Sequence, residues 1–65
     1  MTEATKHQRR YIQRTGARLL NTDIDLRTKT AIIDTLGALR HGEVMTHDEA
    51  EKISAGLRLL ARNHL

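Results

Sequence analysis

The sequence predicts an all-α fold, a small bundle of three helices over residues 3–20, 26–41 and 47–63. Three observations predict it. Proline is absent from all 65 residues. No stretch sustains the alternation of a half-buried strand, and apolar residues instead recur at spacings of three and four. One domain, residues 1–65, is all that this length allows.

The first helix is expected from Glu3 to Leu20, with Thr2 as N-cap and Asn21 at its end. Its apolar stripe is Ile12, Gly16, Leu19 and Leu20, all in the second half. Between residues 2 and 10 only Ala4 can serve a core, so residues 1–10 are expected to project from the body or to fray until something binds them. The second helix is expected from Leu26 to His41. Asp25 or Thr22 can cap it, and Gly42 falls where a left-handed residue ends a helix. Leu26, Ile32, Ile33, Leu36 and Leu39 give it a wide apolar face, with Arg27, Thr28, Asp34 and Thr35 outside.

The third helix, His47 to Asn63, has the clearest start. Thr46-His47-Asp48-Glu49 is a capping box, and Met45 is placed to staple onto Ala50. Ala50, Ile53, Leu57, Leu60 and Ala61 form one stripe, with Glu51, Ala55, Arg58 and Arg62 opposite. With the richest apolar faces, the second and third helices are expected to form an antiparallel hairpin and the best-packed pair. Gly16, Gly37 and Gly56 each lie in a helix interior, either at a close helix crossing or at a tolerated open position.

A chain of this size buries only about 60% of its unfolded surface. Tyr11 is the only aromatic residue, and no Cys is present to staple the fold. A thin core favours self-association, so a homodimer is expected, with Ile24, Val44, Leu59 and Leu65 as leftover apolar surface. No apolar run approaches a membrane span or a signal-peptide core, which predicts a soluble cytoplasmic protein without a membrane partner. Eight Arg against three Lys hint at a GC-rich genome, and the small size suits a phage or mobile element.

Charge carries the functional signal. Lys6, Arg9, Arg10, Arg14 and Arg18 face a single acid, Glu3, within the first eighteen residues, a local net of +4 in a chain of net +3. At about 100° per residue, Lys6, Arg10, Arg14 and Arg18 step across one arc that includes His7 and reaches Tyr11. Arginine suits phosphate because its planar fork donates two parallel hydrogen bonds. Gln8 and Gln13 add neutral groups for base edges or backbone, and Tyr11 offers a ring on which an unpaired base could stack. Arg27 and Lys29 are secondary contacts.

The segment Lys6-His7-Gln8-Arg9-Arg10-Tyr11-Ile12-Gln13-Arg14 resembles the arginine-rich helices that ride in a nucleic-acid groove, particularly RNA-binding segments that fold on contact. A helix-turn-helix made of the second and third helices is excluded, because its reading end, His47-Asp48-Glu49-Ala50-Glu51, would repel phosphate. The same motif made of the first and second helices would present Arg27, Thr28 and Lys29, opposed by Asp23 and Asp25.

The expected function is therefore a small non-enzymatic nucleic-acid-binding regulator, of DNA or RNA. The alternative is a protein-binding module, an inhibitor or adaptor, docking the same basic helix on an acidic partner surface. No catalytic residue is expected, since the one serine, Ser54, has no acid–base partner in sequence. No metal or cofactor is expected either. His41 and His47 lack the spacing of a helical ligand pair.

Overall fold

The computed structural model describes residues 2–65; Met1 lies outside the described residues. Three helices follow one another, α1 (Lys6–Leu19), α2 (Leu26–Arg40) and α3 (His47–His64). The all-α, three-helix class stands as the sequence predicts.

Helix α1 begins later than expected because Thr5, not Thr2, caps it. The Thr5 hydroxyl accepts from the Gln8 backbone N–H at 3.1 Å, while Gln8 Oε1 accepts from the Thr5 N–H at 2.9 Å. This is a capping box with glutamine in the third position. The residues freed by the later start are extended and bonded. Ala4 N–H donates to the Met45 carbonyl and His47 N–H to the Thr2 carbonyl, both at 2.8 Å, so that Glu3 bridges Thr46. Among the described residues, the expectation of a projecting or frayed N-terminal stretch is thus corrected. The strand serves α3 as well, since the His47 N–H is one of the donors a helix start leaves without an internal partner.

Helix α2 ends as Gly42 requires. Gly42 has φ +76°, its N–H donates to Leu39, and Glu43 N–H donates to Ala38 at 3.0 Å, the paired bonds of a Schellman motif. At its start the Asp25 side chain caps no backbone group and accepts instead from the Thr28 hydroxyl. Helix α3 starts at the expected capping box, with Glu49 N–H donating to Thr46 Oγ1 at 3.1 Å. Met45 and Ala50 are both buried in the core, as the staple needs.

The packing differs from the sequence expectation. Helix α1 packs against both α2 and α3, while no Cα of α2 comes within 8 Å of one in α3. The second and third helices are therefore not the best-packed pair that a hairpin of the two is expected to form. Helix α3 runs in the same direction as α1. Gln8 meets His47 and Glu51 near the two helix starts, and Tyr11 lies under Arg58 further along. Between α2 and α3 runs a groove of about 230 Å³, floored by Ile12 and Gly16 and walled by Ile32 and Leu36 on one side and Ile53, Leu57 and Leu60 on the other.

The core consists of Ile12, Leu19, Ile24, Ile32, Leu39, Met45, Ala50 and Leu57. Ile24, expected at the surface, is part of it. Leu26 and Ile33, expected in the stripe of α2, are 79% and 55% exposed. A helix with one neighbour buries a narrow stripe, and the wide face read from α2 would have needed two. Of the three interior glycines only Gly16 marks a close crossing. A Cβ there would lie 3.2 Å from Ile32 Cγ2 and Leu36 Cδ2, whereas one on Gly37 or Gly56 would meet nothing within 4 Å.

Two stability outcomes follow from this backbone. Gly37→Ala fills open space in a helix interior and is expected to raise the unfolding free energy by about 0.5–1 kcal/mol in urea titrations. Gly42→Ala forces an L side chain into the left-handed region and is expected to lower it by about 1 kcal/mol. A third outcome concerns charge. The Thr28 hydroxyl donating to Asp25 holds that carboxyl below its ordinary value of 3.8, so a carboxyl-detected NMR titration should find Asp25 below 3.8, and Thr28→Val should bring it back toward that value. The stabilisation this bond gives is present above the unfolded value of 3.8 and fades as pH falls through the lower folded value.

Candidate nucleic-acid interface

The buried stripe of α1 is Gln8, Ile12, Thr15, Gly16 and Leu19. Everything else on the helix faces solvent across an arc of about 200° at 3.6 residues per turn. That arc carries Lys6, His7, Arg10, Gln13, Arg14, Ala17 and Arg18, all exposed, with Arg9 and Tyr11 half-buried at its two edges. The expected basic face is therefore brought together as one ridge. Two shallow hollows meet at Arg10. One of about 550 Å³ is lined by His7, Arg10, Tyr11, Arg14, Thr15 and Arg18. The other, of about 350 Å³, is lined by Lys6, Arg9, Arg10 and Gln13. Among the described residues, no carboxylate oxygen lies within 4.0 Å of a Lys or Arg nitrogen. The ridge is thus free of internal ion pairs.

Several residues take roles other than those expected. Gln8 is 9% exposed and ties the start of α1 to the start of α3. Its Oε1 lies 3.1 Å from His47 Nδ1, which must carry the proton to donate, and its Nε2 donates to Glu51 Oε1 at 3.2 Å. It is consumed by structure and does not reach a base edge. Tyr11 packs against the core in the α1–α3 seam, with the Arg58 guanidinium 5.7 Å from its ring centroid. Its ring is already partnered, so the expectation of a free stacking platform is corrected. Tyr11 instead holds Arg58, from the polar face of α3, beside the ridge. Arg62, one turn on and exposed, falls on the same side of α3.

Arg27 and Lys29 part company on α2, about 160° apart. The half-buried Lys29 shares with exposed Arg40 the flank turned away from the α2–α3 groove, beside the edge of α1 that bears Arg9. Arg27 is exposed on the outer side, away from the ridge, and does not belong to the site. Ser54 is 4% exposed, and its Oγ has no hydrogen-bond partner. Its small side chain belongs to the buried stripe of α3. Among the described residues no three of His, Asp and Glu gather where one ion could be held.

The electrostatics of the ridge run against the stability of its own helix. Lys6, Arg10, Arg14 and Arg18 form an unbroken i, i+4 series, and like charges at that spacing oppose helix formation by roughly 0.2–0.5 kcal/mol per pair. The first turn of α1 has no acid, and its Lys6 and Arg9 sit at the positive end of the helix dipole. Helix α3 obeys the usual rule, with Asp48 and Glu49 in its first turn and Arg62 and His64 in its last.

No known protein family, curated protein or solved structure matches this chain. Among the described residues no helix is long and apolar enough to cross a membrane.

Arg14→Gln removes repulsion with both Arg10 and Arg18 and is expected to raise the unfolding free energy by roughly 0.5 kcal/mol at low salt, a gain that shrinks in 0.5 M salt as screening takes over. Ser54→Ala is expected to be neutral or stabilising by up to about 1 kcal/mol, because it removes an unpartnered buried hydroxyl.

Proposed function

We propose that the protein is a small non-enzymatic regulator that binds nucleic acid through the exposed ridge of α1. One observation carries the reading. Cations form an unbroken i, i+4 series on α1 and occupy its first turn, where they weaken the helix, with Arg18 alone placed where the dipole favours it. Helix α3, by contrast, places its charges where they stabilise. A local rule broken in one element and kept in its neighbour marks a functional constraint. A polyanion reverses the sign of the effect, since each phosphate docked on the ridge cancels a repulsion that the free protein carries.

Lys6, Arg10, Arg14 and Arg18 are the primary contacts, with Arg9 and Gln13 on one flank and Arg58, held by Tyr11, on the other. Binding releases counterions from the phosphate backbone, so affinity falls steeply with salt. The capping box and the bridge to Met45 and His47 hold the backbone of the ridge in place before any ligand arrives, so that docking orders side chains and not the helix.

Arg10→Ala combined with Arg14→Ala should keep its helical circular dichroism and lose at least tenfold in affinity in gel-shift titrations. The slope of log affinity against log salt should become shallower by roughly 2. Full affinity in this double variant overturns the reading.

A further inference from the structure

We infer that α1 enters the major groove of duplex DNA, with Gln13 and Ala17 against base edges and its flanking cations on the two phosphate rows. This rests on the nucleic-acid reading and names the form of nucleic acid.

The shape of the ridge is the first argument. Helix α1 is backed by α2 and α3, whose backbones stay more than 8 Å apart, and its exposed arc faces away from both. An α-helix of about 10–12 Å diameter fits a B-form major groove about 12 Å wide and not a minor groove about 6 Å wide. The major groove of A-form RNA is deep and narrow, closed to such a ridge.

The distribution of residue types is the second argument. Gln13 and Ala17, one turn apart, are the only exposed residues of α1 without a basic side chain. Ala17 lies at the crest beside Lys6 and Arg10, and Gln13 stands one step toward the flank of Arg9. Glutamine reads adenine through N6 and N7, and an alanine methyl packs against the thymine methyl. On one side of the crest stand His7, Arg14 and Arg18, extended by Arg58 and Arg62 of α3. On the other stands Arg9, extended by Lys29 and Arg40 of α2. Cationic margins on both sides of a crest whose Arg10 and Ala17 can face base edges match a groove bounded by two phosphate rows.

The state of Tyr11 is the third argument. Single-strand binders need open aromatic faces for the bases, and the one aromatic ring of this protein is packed in a helix seam beneath Arg58. The folded, capped state of α1 also sets it apart from arginine-rich segments that order only on contact with RNA.

Fluorescence anisotropy with the full chain tests this against three labelled probes of one random sequence pool: 20-bp DNA duplex, the matching RNA duplex, and single-stranded DNA. The duplex DNA is expected to bind at least tenfold tighter than either other probe. Arg9→Gln and Arg18→Gln, on opposite margins, should each weaken it several-fold on all sequences, and Gln13→Ala should flatten the base preference seen in selection from the pool. Equal or tighter binding of RNA duplex or single strands overturns the inference and leaves the nucleic-acid reading standing. Loss with Arg18→Gln but none with Arg9→Gln overturns insertion between two phosphate rows. No binding to any probe overturns both readings.

Discussion

Helix α1 is the one element that touches both others, and its buried stripe of Gln8, Ile12, Thr15, Gly16 and Leu19 is therefore shared between two partners. Ile12 and Leu19, the largest fully buried side chains, lie on it. The contacts are made close by small residues: Gly16 toward Ile32 and Leu36, Ala50 and Ser54 in the stripe of α3. A chain with one aromatic residue reaches native density by approach of backbones instead of by bulk. Because the backbones of α2 and α3 approach α1 and not one another, loosening of the hub would remove the closest packing of both. The bonds of Thr2 and Ala4 to His47 and Met45 tie the chain before α1 to the start of α3.

Putting the basic ridge on that same hub has a mechanical consequence. One side of α1 is fixed by the core and the other is presented to solvent, so the cations are held in register along a rigid rod. Tyr11 and Gln8 mediate between the two sides. Tyr11 fills the α1–α3 seam and steers Arg58, and Gln8 joins the capping box of α1 to His47 and Glu51 of α3. The conflict between charge and stability in α1 is tolerated because neighbouring packing, and not helix propensity, supplies most of what keeps a short helix folded.

Local signals were legible in proportion to how many neighbours they need. The Thr46–Glu49 capping box and the left-handed Gly42 depend on a few adjacent residues, and both appear where the sequence places them. The start of α1 was readable too, since Thr5 and Gln8 have the spacing of a capping box, but Thr2 competes with Thr5 as a cap. The bridge to residues 45–47 decides between them. The ridge was legible for the same reason as the helices. Its members lie on one helix, and periodicity alone sets their arc. Arg58 joins them across 47 positions of sequence and could not be read from spacing.

By itself the sequence determined three helices, the start of the third, the glycine end of the second and the cationic arc of the first, all consequences of interactions within a few residues. Only tertiary structure decided that α1 is the hub, that α2 and α3 stay apart, that Leu26 and Ile33 are exposed and Ile24 buried, and that Gln8 and Tyr11 serve the scaffold. An apolar stripe states that a face must be covered, and it does not name what covers it. That choice was settled by which backbones could approach most closely, at Gly16 on one side of α1 and at Ala50 and Ser54 on the other.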